Sequence, residues 1–465
     1  MNLIQNTTEN SYYKPFKYQF YFKTKAATTY IFFISPMAKN HKKPNPAQNE
    51  KLLTAQNRNE FFRNLKRVLT LMSGDENTIS YLSKIDLEVY YHFRFKAIRA
   101  EAADGHSIDP QILKEIKSQS LGLMKKELIP VNDFGGFITL DDHLTIGFTI
   151  ITQFGALKEE SFDRNKALYI VALGPYFVGR ITKETSWQNA KHVMEAAAIG
   201  HCDLSSALYW TQIKAEMQER EPVDYHVAVK VYKHEQKKIY VTLEGINRAV
   251  VRVGWGMYPD GVVWCSRPPA SFSLPQKDIT HTLPVYIQTH ALQRLRERLD
   301  CVDEGTVHYF VYLALKNGRI HKTQNNSYLI EFHFMDMKAG YLVAVVQDDR
   351  VIVRTFLLLT NNGTPEGAKL ANYTGLKKED KRYLSLDKLS TFMDPALRDD
   401  ETIQRIFFDA GCSDLFEITQ DMVADPAKIK SHVSTKVLLD YLMLKPADAK
   451  APHDYSDVLA GGGYK

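Results

Sequence analysis

At 465 residues the chain is too long for one compact core and implies roughly two to four domains. Its 44% apolar and 24% charged residues place it among globular proteins, and a formal charge of +5 is too small to call for a nucleic-acid partner by itself. No run approaches the ~18 apolar residues of a membrane helix, so no membrane partner is expected.

The first 36 residues are rich in Tyr, Phe and Lys and nearly free of acid. Their longest apolar stretch, TTYIFFIS (28–35), is too short for a signal peptide core, and no cleavage site follows it. The polar run from Met37 reads as an ordinary start, so residues 1–46 are expected to be a poorly ordered leader and Met37 the true first residue.

Residues 47–129 read as a helical domain. Phe61, Phe62, Leu65, Val68, Leu69 and Met72 recur at helical spacing up to the stop at Gly74. Tyr81, Leu82, Ile85, Val89, Phe93 and Ile98 extend a second long helix to Gly105. A third begins at Asp109-Pro110, a cap followed by proline at the first helical position. The aromatic run YYHFRF reads as packing.

Residues 130–280 read as a strand-rich α+β domain. HLTIGFTIITQF (143–154), ALYIVALGPYFVGRI (167–181), DYHVAVKVYKH (224–234) and KKIYVTLEGI (237–246) carry β-branched and aromatic residues. One helix, 186–217, interrupts them and breaks near Gly200. Residues 247–266 form a hairpin turning at Pro259-Asp260-Gly261. The prolines of 266–278 mark a linker.

From 281 to 393 the order is two helices, HALQRLRERL and DEGTVHYFVYLALKNG, then three strands, the last two joined by a tight turn at Asp348-Asp349. A helical extension (394–445) and a disordered tail (446–465) follow.

Four cysteines stand far apart without a CxxC pair, which argues for separate thiols in a reducing cytoplasm. GTPEGAK (363–369) fails the phosphate-loop spacing, and GWGMYPDG lacks the third glycine of a dinucleotide fingerprint. Asp141-Asp142-His143 reads as a turn or strand edge, and Asp203 as a helix cap after His201-Cys202. No cofactor and no metal site are called for.

THALQRLRERLD (289–300) carries the chemistry. His290, Arg294 and Arg298 share one helix side at i, i+4 and i+8, opposite Leu292, Leu295 and Leu299. Histidine exchanges a proton near neutral pH, and arginine grips phosphate oxygens in a fork, so the row suits a phosphodiester. The competing reading is a solvated face in which Glu297 pairs with a neighbouring arginine.

The H-A-x-x-R-x-x-x-R helix, a second helix ending in ALKNGRI, and strands closing in VIVRTFLLLT resemble the small RelE-like, BECR-type RNase toxin domains over residues 286–360. The resemblance implies an α+β fold and metal-independent RNA cleavage. It marks His290, Arg294, Arg298 and Arg354 as catalytic and Thr355 as substrate-binding, with His321 and Lys322 near the same edge as further substrate contacts. Arg354 and Thr355 face opposite ways on a strand, so one of them at most serves the site. The segment departs from free-standing toxins in being nearly charge-balanced and embedded in a larger chain.

Together these features give a multi-domain α+β chain: an N-terminal helical domain, a central strand-rich domain, a RelE-like α+β domain and a helical extension. The leading function is a ribonuclease-like, toxin-related module acting on RNA. The alternative is a non-catalytic scaffold whose N-terminal helical domain holds a protein partner. A small-molecule pocket lined by Trp187, Trp210, Trp255 or Trp264 is a third reading.

Overall fold

The computed structural model describes residues 46–418, apart from 132–135, 160–163, 180–182, 219–223, 276 and 279. The leader, the helix read at 432–444 and the tail lie outside the described residues. The architecture is mixed α+β, built around two sheets.

The first half contains α1 (Pro46–Ser73), α2 (Lys84–His92), β1 (Phe95–Ala102), α3 (Pro110–Met124) and a short hairpin, β2 (Leu128–Pro130) with β3 (Phe137–Thr139). A helical run follows: α4 (Leu140–Asp142), a π-helical turn (His143–Gly147) and α5 (Phe148–Glu159). After it come α6 (Arg164–Gly179) and α7 (Lys183–Ile199), then β4 (Ala207–Gln218) and β5 (Asp224–Glu235). The order in this sheet is β1-β5-β4, with β5 parallel to β1 and antiparallel to β4. Ile98, Val227, Val229, Val231 and Leu208 are buried in the core.

The second half contains β6 (Lys238–Leu243), β7 (Ile246–Arg252), β8 (Gly254–Met257), β9 (Gly261–Trp264), β10 (Ser266–Arg267) and β11 (Leu283–Gln288). Then come α8 (Thr289–Arg298), α9 (Glu304–Asn317), β12 (Ile320–Lys322), β13 (Tyr328–Phe334), β14 (Met337–Gln347) and β15 (Arg350–Leu358). The large sheet runs β12-β13-β14-β15-β11-β7-β6, with β10 beside β11. Within it β11 and β15 are parallel, and the remaining pairs are antiparallel. Leu292 and Leu295 of α8 and Val307, Val311 and Leu315 of α9 join Val285, Ile287, Val351, Val353 and Phe332 in the core.

The chain closes with α10 (Pro365–Thr374), α11 (Lys378–Tyr383), α12 (Pro395–Arg398), α13 (Glu401–Asp409) and α14 (Asp414–Glu417). Phe392 meets both Phe407 and Phe416 edge-on, and those two rings pack tilted against each other. Ser390 donates to Asp300 at the end of α8, tying this segment to the sheet layer. One continuous apolar core extends from Leu65 to Ile418.

Several expected boundaries hold. Gly74 ends α1 with a φ of 73°, Asp109 caps α3 by accepting from the Gln111 amide, and Asp348 and Asp349 both take positive φ in the turn from β14 to β15. The hairpin turn at 259–261 joins β8 to β9. All four cysteines are free and buried.

Other expectations are corrected. The long helix read from 81 to 104 stops at His92, and FKAIRAEA becomes β1 because β5 offers it a parallel ladder. The strands read at 143–154 and 167–181 are helical over 143–154 and 167–179. An apolar β-branched run of that length has the same pattern in a buried helix, and packing decides between them. The helix read over 186–217 ends at Ile199, and its second half is β4. Asp203 therefore caps a turn rather than a helix, accepting from the Ser205 amide and from the Ser205 and Ser206 hydroxyls.

Asp141-Asp142-His143 lies in the helical run that Thr139 caps, not on a strand edge. The first part of the expected linker is structured, with Ser266–Arg267 pairing β11 and Phe272 buried. A domain boundary at 280 would cut the large sheet, since β6 and β7 belong to it. The segment 47–129 likewise shares its strand β1 with β5.

Candidate functional site

β11 delivers its last residue, Gln288, in extended conformation, and α8 starts at once. Ala291, Leu292 and Leu295 are buried and dock the helix, which leaves the polar side outward. His290 is exposed and Arg294 and Arg298 are half-exposed on that side. The predicted row therefore exists as one face.

Its cations are not equally available. Arg294 pairs with Glu297 one turn on. Arg298 donates to the carbonyl oxygen of Phe356 on β15. Arg296, pointing elsewhere, pairs with Glu304 at the start of α9. The His290 pKa is lowered from its ordinary value, first by partial burial and then by Arg294, Arg248 and Arg298, against an opposing pull from Glu297. His290 is accordingly neutral near pH 7, the form that accepts a proton.

Arg248 is the residue that sequence reasoning missed. It lies on β7, forty-odd residues before the helix, and reaches His290's field because β7 pairs with β11 through Ile287↔Val251 and Gln288↔Val250. Nothing local in the sequence marks it. It is exposed and makes no ion pair among the described residues.

Arg354 and Thr355 part company, as alternation predicts. A bulge between Val343 and Ala344 pairs Thr355 with Val343 and leaves Arg354 without a β14 partner. Arg354 turns to Glu244, in the β6–β7 turn, with two hydrogen bonds of 2.7 and 2.9 Å. Its fork is used inside the fold.

His321 and Lys322 do not join the site. They lie on β12, three strands from β15, roughly 14 Å at ordinary strand spacing. His321 bonds Glu331 instead, at 2.9 Å.

Among the described residues, one group of three donors has metal-ligand spacing: Asp203, Glu304 and His308, within 4.8 Å of one another. Every member is engaged. Asp203 accepts from the two serines, and Glu304 from Arg296. Nδ1 of His308 accepts from the Leu204 amide at 3.2 Å, which fixes the ring proton on Nε2. A metal at Nε2 would force that proton onto Nδ1, against the Leu204 N–H. The group is an internal brace.

The four tryptophans pack against separate neighbours. Trp210 stacks on Tyr232, Trp255 meets Tyr309 and Tyr312, Trp264 lies under Arg252, and Trp187 meets Phe148. An open groove of about 340 Å³ runs along α1 between Arg63, Lys66, Arg67 and Glu76, but Arg67 is tied to Asp142. Among the described residues no helix is long and apolar enough to cross a membrane.

Comparison with protein-family models, curated proteins and solved structures finds no match for this chain.

Proposed function

We propose that the α8 face binds RNA phosphodiesters and cleaves them without a metal, as a ribonuclease-like module related to the RelE-type toxins and working in a reducing cytoplasm. The carrying observation is a solvent-facing His290, held neutral beside the guanidiniums of Arg294 and Arg248. The succession α8, α9 and antiparallel β13–β15 supports the kinship. In this reading His290 Nε2 or Nδ1 takes the 2′-hydroxyl proton. The 2′-oxygen attacks the adjacent phosphorus, a 2′,3′-cyclic phosphate forms, and the departing 5′-oxygen receives a proton from the imidazolium. Arg248 and Arg294 neutralise the phosphorane charge, while Arg298 and Arg354 hold the fold.

Incubating short single-stranded RNA with the protein in EDTA tests this. The expected result is cyclic-phosphate ends, lost by about a hundredfold or more in His290→Ala. Intact RNA, or an unchanged rate in that variant, rejects it. The second reading, a non-catalytic scaffold that holds a protein partner through the N-terminal helices, draws on one observation. Arg294, Arg298 and Arg354 already have partners inside the chain. Absence of RNA binding even at low salt favours it.

A further inference from the structure

We propose that the N-terminus of α8 is an oxyanion site of the phosphate-ester class, with the carboxamide of Gln288 as its donor side chain and Arg248 as its counter-charge. The inference rests on the cleavage reading for its substrate and deepens it, since Gln288 then places the scissile phosphate beside His290.

Gln288 is the residue before α8, and its backbone is extended, with φ −69° and ψ 142°. Its side chain makes no capping bond, so the first-turn amides of His290 and Ala291 leave the helix end without a capping acceptor. Such an end carries partial positive charge and aims N–H groups at an anion. The second observation is Gln288 itself. It is only 6% exposed, and its carboxamide has no hydrogen-bond partner among the described residues. A buried amide left unpaired costs stability, and a ligand that accepts its N–H removes that cost.

The register brings Arg248 to the same place. Gln288 pairs with Val250, and Arg248 lies two residues along β7, on the same side of the sheet. Diagonal positions of this kind stand roughly 7–8 Å apart, within reach of long side chains. Tyr286 alternates to that side too, where it packs against the small cluster of Leu243, Val250 and Ile352, while Val285 and Ile287 belong to the main core. Arg248 is exposed and makes no ion pair among the described residues. The charges that act on His290 are Arg294, Arg248 and Arg298 against Glu297 alone, so a net positive field covers this end of α8. Glu244, the acid at the tip of the same hairpin, is held by Arg354. A tetrahedral oxyanion suits these donors. Arg248 can grip two of its oxygens in a fork, and the Gln288 N–H can hold a third.

Fluorescence anisotropy of a labelled 2′-deoxy tetranucleotide on the full chain tests the site, because this probe lacks the 2′-hydroxyl and cannot be cut. Saturable binding is expected, with displacement by inorganic phosphate at constant ionic strength. Binding should weaken by about tenfold or more in Gln288→Leu and in Arg248→Gln. Gln288→Leu should unfold at the same temperature as the parent or higher, since it removes an unpaired buried amide, so its loss of binding is not a loss of fold. Gln288→Glu, which keeps the shape and adds a negative charge, should lose binding as well. Absence of saturable binding, failure of phosphate to compete, or parental affinity in both Gln288→Leu and Arg248→Gln overturns the proposal. The two readings fail separately. RNA cut by a chain whose Gln288 variants bind the probe normally rejects the oxyanion site alone, and Gln288-dependent binding with RNA left intact rejects cleavage alone.

Discussion

Arg354 and Glu244 meet in a two-pronged hydrogen bond that spans from β15, past the end of β11, to the turn between β6 and β7. Glu244 and Gly245 both take positive φ there, 51° and 75°, which makes the tight two-residue turn that aims the carboxylate back over the sheet. The pair fixes the hairpin carrying Arg248 and removes Arg354 from the list of free cations.

Glu244 is 70% exposed, so the pair's energy is modest. Arg354→Ala and Glu244→Ala are each expected to cost about 0.2–1 kcal/mol, and the double variant little more than either single one. Urea unfolding of the four proteins measures this coupling. Fully additive losses reject a direct interaction.

His290 gives a pH dependence with a defined sign. Its pKa is lowered, and the neutral form is the base. Cleavage should therefore rise with pH through a midpoint below 6.5 and level off above it. Glu297 pulls the pKa up, so Glu297→Gln should move the midpoint further down. A rate profile over pH 4–8 reads both, and a midpoint above 7 contradicts the assignment.

Gly305 marks a close approach. A Cβ there would stand 2.0 Å from the carbonyl oxygen of Ile199, backbone that cannot swing away. Gly305→Ala should destabilise the protein by about 2–3 kcal/mol, despite a helix-propensity gain of about 1 kcal/mol. Thermal unfolding decides. A neutral or stabilising result means that the start of α9 does not press on the end of α7.

His143 makes the fold acid-sensitive. Burial lowers its pKa to about 4 from an ordinary 6.5. The folded form thus disfavours the proton that the unfolded chain accepts. Its contribution is complete above pH 6.5 and is lost as pH falls from 6.5 towards 4, by about 3 kcal/mol in all. His143→Leu should flatten that part of the stability–pH curve. A curve of unchanged slope would place the acid sensitivity elsewhere.

The helices α8 and α9 and the strands β13 to β15 were legible because their signals are local, whereas β11, β12, α10 and α11 were not read. Leucines at helical spacing dock α8, Asp303 caps α9, and Asp348-Asp349 supplies the turn. The segment 140–218 was not. Its apolar runs suit a buried helix or a buried strand equally, and the choice is made by tertiary contact: Tyr169 bonds Tyr90 from within α6, while Thr211 and Ile213 lie against β5. The row on α8 was legible as a helix face. Arg248's place beside it was not, since it depends on β7 pairing with β11. The use of Arg354 and Arg298 within the fold depends on Glu244 and Phe356, residues remote in sequence.

The parallel pairing of β1 with β5 joins positions about 130 residues apart, Phe95 with Tyr225. During synthesis β1 leaves the ribosome long before its neighbour is made, and must wait through α3 to β4 with a strand edge unsatisfied. A truncation after residue 129 would carry that bare edge permanently. Such a fragment is expected to aggregate, whereas one ending beyond residue 235 holds every strand of the smaller sheet.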